Sequence, residues 1–138
     1  MIRITICLYL FISLVSCDSF TGKNVTQDDL VGSTWTLTNI GSLSAQNGVD
    51  VTLIFDSDNT LSGYSGCNNY ESGYSLIGEN FSVSGITASI DSCAKSVMDQ
   101  EANYIITLEG AESIKLYGDN LVIKSNDTIF NKLKFTKQ

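Results

Sequence analysis

Four cysteines and no histidine bound the chemistry open to this 138-residue chain. Cys67 stands in the middle of SGYSGCNNYESGYS, residues 62–75, among glycines, tyrosines and asparagines; Cys93 follows in IDSCAKS, and Cys7 and Cys17 lie in an apolar N-terminal segment. A nucleophilic thiol needs a base to form thiolate, usually histidine. Lys95 lies close to Cys93, but no lysine lies near Cys67 and no other catalytic signature accompanies either. Three readings of Cys67 and Cys93 stay open: an intramolecular disulfide, two reduced buried thiols, or a reactive cysteine. Outside the cytosol a disulfide persists, and closing this loop would stabilise the fold by about 3.5 kcal/mol on the chain-entropy estimate.

Other site chemistries find little support. Two distant cysteines without histidine do not resemble a zinc site. Asp56-Ser57-Asp58-Asn59-Thr60 starts like a calcium loop, but Leu61 stands where glycine is needed and Cys67 where glutamate is needed, so the stretch reads as a turn. There is no phosphate-binding glycine loop ending in lysine and no G-x-S-x-G serine. Glu71 and Glu79 would serve glycoside chemistry only if a hairpin brought them within about 5–10 Å; otherwise they are solvated strand residues. Tyr64, Tyr70 and Tyr74 share parity, so an unbroken strand would put them on one side, either packed inside or exposed as an aromatic recognition surface. The expectation is no catalytic residue, no metal and no cofactor.

The compartment is read from the first residues, MIRITICLYLFISLVSC. One cation, Arg3, precedes an apolar run from Ile4 to Val15, which is the layout of a signal peptide. At 1.5 Å per residue the run would cover only ~18 Å of a hydrocarbon core about 30 Å thick, too little for a permanent span. Leu14-Val15-Ser16-Cys17 resembles the bacterial lipobox, which implies cleavage before Cys17 and acylation of its thiol; an ordinary secretory signal is the other reading. Residues 1–16 are thus expected to be a lipoprotein signal peptide, 17–30 a lipidated cysteine with a polar tether, and 31–138 one domain. The chain carries eight basic and fifteen acidic residues, and loss of Arg3 makes the balance more acidic still. Such a charge repels nucleic acid and anionic headgroups, so the folded part should bind neither.

Past residue 30 the apolar pattern is mostly period two. STWTLTNI, with Trp35, Leu37 and Asn39 on one face and Ile40 on the other, reads as a strand. VTLIF, TLSGYS, SGYSLIG, FSVSGITAS, SIKLYG, NLVIKS and IFNKLKF extend the series to about eight strands, with turn signals at Gly78-Glu79-Asn80 and Gly118-Asp119-Asn120. The glycines at 63, 66 and 73 suit bulges or bends, and no proline bars any run from a central position. SVMDQEANYIITLEGAE breaks the pattern as a single helix, with Ser96 and Asp99 as a capping box and Met98, Ala102, Ile105 and Leu108 as its core stripe. The fold class is mainly β with one packed helix (α+β), an antiparallel curved sheet or partly open β-barrel.

From Leu30 to Phe135 the chain resembles the META/HslJ-like domain of bacterial envelope proteins. The resemblance is carried by LVGSTWTLTNI, by Gly66-Cys67-Asn68 with Tyr70, and by a second cysteine, Cys93, ahead of a helix bearing Glu101. It implies a curved antiparallel β-structure with one helix, in secreted or lipid-anchored proteins, some linked to heat shock or antibiotic tolerance, with no established enzymatic activity. The functional expectation is a non-enzymatic, membrane-anchored, monomeric envelope lipoprotein that binds an envelope protein in a stress-tolerance role. The alternatives are a carrier of a small apolar ligand or lipid in a barrel cavity, and an inhibitor of an envelope enzyme acting through a loop at Asp91 to Lys95.

Overall fold

Alternating apolar residues, short two-residue turns and one long helical stretch translate into ten strands and two helices. The computed structural model describes residues 22–138; the expected signal peptide, Cys17 and the first part of the expected tether lie outside the described residues. In chain order the elements are β1 (Lys23–Asn24), α1 (Gln27–Leu30), β2 (Thr34–Ile40), β3 (Leu43–Ser44), β4 (Thr52–Phe55), β5 (Thr60–Tyr64), β6 (Asn69–Ile77), β7 (Asn80–Ala88), α2 (Lys95–Glu109), β8 (Ala111–Tyr117), β9 (Asn120–Ser125) and β10 (Lys132–Lys137).

Eight of the strands close an antiparallel barrel. From β2 the order runs through β4, β5, β6, β7, β8 and β9 to β10, which returns to pair with β2. Closure leaves the eight strands no free edge around the ring. Two-residue loops at Gly78-Glu79 and Gly118-Asp119 join β6 to β7 and β8 to β9, each glycine taking the positive φ that a tight hairpin needs at that position. The short β3 and β1 pair outside the ring, with β2 and β8 respectively.

Each end of the barrel is covered. Helix α2 runs from the end of β7 to the start of β8, so it crosses the end where β5 turns into β6, and it packs on β7, β2, β9 and β10. The single turn α1 covers the opposite end: Leu30 is fully buried, and Gln27 Nε2 donates to Tyr74 Oη and to Asn59 Oδ1 in the β4–β5 turn. Between them the interior is filled by aromatic rings. Phe55 meets Tyr74 at 5.4 Å, Tyr74 meets Phe81 at 5.7 Å, Tyr70 meets Tyr104 at 5.8 Å and Tyr104 meets Phe135 at 6.3 Å. Around these rings pack Leu53, Leu61, Leu108, Leu121 and Leu133, all fully buried.

Four local expectations are corrected. Residues 23–30 are not a free tether but part of the domain: Val25 and Leu30 are buried, and Thr26 with Asp29 forms a capping box at the start of α1. Val25 before the cap and Leu30 after it occupy the two positions of a hydrophobic staple. On β2, Thr38 bulges out of register with β10, which changes parity and turns Ile40 into the core in place of Asn39. In α2 the buried face carries Gln100, Tyr104, Thr107 and Leu108, while Met98 is 44% exposed and Ala102 is exposed. Two of the buried polar groups there have partners, since Gln100 Oε1 accepts from the Gln46 N–H at 2.7 Å and the Tyr104 hydroxyl meets Tyr70, whereas Gln100 Nε2 is buried without one. The Ser96–Asp99 capping box is absent too; Ala94 is the N-cap, and Asp99 pairs with Lys95 at 2.6 Å.

Candidate functional site

The turn Ser65-Gly66-Cys67-Asn68 links β5 to β6 at the α2 end, and Glu101 on the second turn of α2 reaches into it. Gly66 has φ +105°, and a Cβ there would lie 3.0 Å from Val49 Cγ1, so only glycine lets the turn close in this form. Successive backbone N–H groups then converge on one carboxylate. Glu101 Oε2 accepts from the Asn68 N–H at 2.9 Å, from the Cys67 N–H at 3.3 Å and from the Ser65 hydroxyl; Oε1 accepts from Asn68 Nδ2 at 2.6 Å. Burial pushes the Glu101 carboxyl up, but the hydrogen bonds from Ser65, Asn68 and Cys67 outweigh it and hold the group below its ordinary value. Concave N–H arrays of this kind bind anions, and here the anion is the protein's own side chain.

Asn68 passes this order on to the next segment. With Nδ2 committed to Glu101, Oδ1 accepts from the Asp91 N–H at 2.7 Å and from the Ser89 hydroxyl at 3.1 Å. The Ser89 N–H donates to the Asn69 carbonyl at 3.0 Å, and Cys93 is disulfide-bonded to Cys67 with a Cα–Cα distance of 6.0 Å. Residues 89–94, which join β7 to α2 without a turn, are therefore held at Ser89, Asp91 and Cys93. Between the first two of these points Ile90 is 99% exposed. The expected disulfide is formed, and the thiol chemistry left open by the sequence is closed off.

A trough runs beside the clamped turn on the outside of β4 to β7. One concavity of about 550 Å³ is lined by Thr52, Ser62, Tyr64, Asn69, Glu71 and Ser89 among others, and a neighbouring one of about 370 Å³ shares Ser62, Glu71 and Thr87 with it and adds Asp56. Neither is lined by a basic residue. Gly63 lies at the base of the first; a Cβ there would fall 2.1 Å from the Thr52 carbonyl oxygen.

The tyrosine surface expected from parity does not exist as such. Tyr70 and Tyr74 are 2% and 5% exposed and point into the barrel, and only Tyr64, 37% exposed, lies at the rim of the trough. Parity is lost because the Ser65–Asn68 turn separates Tyr64 from the strand that carries the other two. Inside, Tyr70 donates to the Thr52 carbonyl at 2.9 Å and lies 2.6 Å from the Tyr104 hydroxyl, and burial raises both phenols above their ordinary value. Glu71 and Glu79 are not brought together. Glu71 pairs with Thr87 midway along the hairpin, whereas Glu79 sits in its turn, roughly 20 Å away at about 3.3 Å per residue, and contacts Lys115 at 3.6 Å. Asp56 to Thr60 form the β4–β5 turn, with Asp56 accepting from the Ser62 hydroxyl at 2.9 Å; no metal-sized group of three His, Cys, Asp or Glu occurs among the described residues. Cys17 lies outside them.

Sequence reasoning singled out the glycine, cysteines, Asn68 and Glu101 but missed Ser65, Ser89, Tyr104 and Ile90. Ile90 carried one available signal, a lone aliphatic residue among polar neighbours just ahead of Cys93.

Two solved structures, both determined by NMR, resemble this fold. One has a TM-score of 0.67 at 15% identity, over 81% of this chain and 94% of its own; the other, from Burkholderia xenovorans, has a TM-score of 0.63 at 19% identity, over 81% of this chain and 86% of its own. At such identities they speak for the fold alone. Among curated proteins none matches the chain. The model of the META domain matches residues 28–137, which cover the barrel, helix α2 and the clamped turn, and the chain accordingly belongs to the META domain family.

Proposed function

We propose that this chain is a non-enzymatic, lipid-anchored module of the bacterial cell envelope that works by binding another envelope component, in a stress-tolerance role. The observation that carries the reading is the commitment of the family motif to shape. Glu101, Asn68, Ser65 and the two cysteines are bonded to one another and to backbone, and together they order one exposed segment, residues 89–94. Preorganised surface segments favour binding because less conformational entropy is lost on association.

The anchor rests on the lipobox resemblance at Cys17. With β1 already paired at Lys23, the link from a lipidated Cys17 has only a few residues, a reach of about 20 Å at most. Lys23 pairs with Leu116 near the end of β8, on the side of the barrel opposite α2. An anchored domain would then present residues 89–94 away from the bilayer.

Two measurements test this. Native protein should partition into detergent, and Cys17→Ser should lose that behaviour. A photo-reactive residue at position 90 should crosslink a defined envelope component in cells, whereas one at position 77, at the α1 end, should not. A hydrolytic or transfer activity that survives purification and disappears on a single substitution would overturn the proposal.

A further inference from the structure

We infer that residues 88–93 form an inhibitory loop that presents Ile90 to the substrate cleft of an envelope peptidase with an aliphatic primary pocket. The inference rests on the binding-module reading and names its partner. Peptidases read substrates as exposed chain segments with one side chain in a pocket. The segment offers such a side chain, although the N–H groups of Ser89 and Asp91 on either side of it are bonded within the protein. It runs from β7 to α2 without a turn, residues 87–92 are all exposed, and Ile90 projects with 99% of its surface free.

The constraint falls where an inhibitor needs it. Attack by the peptidase's nucleophilic oxygen on the Ile90 carbonyl would break the C–N bond to Asp91. The nucleophile's proton would pass through the enzyme's base to the Asp91 nitrogen, leaving an acyl-enzyme and a new amine. In this chain that nitrogen is bonded to Asn68 Oδ1 at 2.7 Å, and two residues on Cys93 is tied to Cys67. On the acyl side, Ser89 is tied to Asn69 and Asn68. The amine therefore stays against the acyl carbon, and reversal of the step competes with hydrolysis. Glu101, by fixing Asn68, supports both sides of the bond from behind.

The test uses the full-length lipidated protein in detergent against an elastase-type serine peptidase and against trypsin. Wild type should inhibit the elastase-type enzyme competitively, and Ile90→Ala should weaken this by about 30-fold, as for truncation of a central anchor residue. Ile90→Lys should transfer the inhibition to trypsin. Ile90 makes no packing contact that burial would indicate, so both variants should keep the wild-type Tm. Reduction of the disulfide should convert the inhibitor into a substrate cut between Ile90 and Asp91, seen by mass spectrometry. The inference is overturned if neither wild type nor Ile90→Lys inhibits its matched enzyme, or if the oxidised loop is cut as fast as a linear peptide of the same sequence. A crosslink from position 90 to a component that is not a peptidase would also overturn it while leaving the binding-module reading in place.

Discussion

Replacing Glu101 by glutamine keeps the volume of the side chain and removes its charge, which isolates the role of the carboxylate in the clamped turn. The carboxylate accepts from two backbone N–H groups, the Ser65 hydroxyl and the Asn68 amide. Glutamine offers one acceptor oxygen and one NH₂ group, so whichever way it is turned, a donor faces a donor. Hydrogen bonds to charged groups contribute about 1.5–3 kcal/mol each, and a buried donor left unpaired costs about 1–3 kcal/mol. Because Glu101 is partly exposed, water recovers part of this, and a net loss of about 3 kcal/mol is expected. With a urea m-value of about 2 kcal/mol/M, the midpoint should fall by roughly 1.5 M at unchanged m. The pH dependence gives a second reading of the same quantity. Glu101 titrates below its ordinary value of 4.5 in the folded state, so its contribution is fully present above 4.5 and is lost as pH falls through the folded value. The gap between wild type and Glu101→Gln should be constant at neutral pH and close progressively below pH 4.5. A gap under about 0.5 kcal/mol at pH 7, the size of an ordinary surface substitution, or a gap that persists unchanged into acid, would refute the assignment.

The hydroxyl pair in the core gives an asymmetric prediction. Tyr70 donates to Thr52, so Tyr104 must donate to Tyr70; Tyr70→Phe strands two partners and should cost about 2–3 kcal/mol, against about 1 kcal/mol for Tyr104→Phe, by denaturant titration of both. Removing both cysteines as Cys67→Ser with Cys93→Ser should lower stability by about 3.5 kcal/mol, read as a lower Tm with the barrel's circular dichroism retained. Gly63→Ala should fail to give soluble folded protein, since its Cβ would overlap the Thr52 carbonyl at 2.1 Å and β4 cannot move without breaking the ring. Thr26→Val should cost about 1 kcal/mol by loss of the α1 cap, with hydrogen exchange accelerated in residues 27–30 alone.

Most of the barrel was legible because its strands obey period two and its hairpins use glycine where a turn requires it, as at Gly78 and Gly118. Reading failed where one residue changed a register or a polar residue found a partner. The bulge at Thr38 exchanges Asn39 for Ile40 in the core, and nothing local marks it, because it depends on the register of β10 almost a hundred residues away. Helix α2 was placed correctly, and of its expected stripe Ile105 and Leu108 do face the core while Met98 and Ala102 do not. Apolarity favours Met98 and Ala102 on its core stripe, yet Gln100 and Tyr104 are inside; Tyr70 bonds the Tyr104 hydroxyl and the Gln46 N–H bonds Gln100 Oε1, while Gln100 Nε2 is buried without a partner. At the N-terminus the polar composition of residues 22–29 concealed a legible signal, Thr26 three residues before Asp29 with Val25 and Leu30 at the staple positions.

The motif illustrates a different limit, since its members were visible and its purpose was not. Gly66, Cys67 and Asn68 are consecutive but Cys93 and Glu101 lie well beyond them in sequence, and a list of the five suggests a reactive centre as readily as a scaffold. The direction of the hydrogen bonds shows what its polar groups are committed to. Glu101 accepts from the Cys67 and Asn68 N–H groups, the Ser65 hydroxyl and the Asn68 amide nitrogen, which leaves Asn68 Oδ1 as an acceptor, and that acceptor is taken by the N–H of Asp91. Order thus passes from helix α2 through the turn to a segment that makes no regular structure of its own. A chain that fixes an exposed loop by a disulfide, a buried amide and a helix-borne carboxylate loses little further entropy when that loop is bound. Mutation of Glu101 and mutation of Ile90 should therefore separate cleanly: the first should lower stability and loosen the loop, the second should leave stability unchanged and remove only the contact.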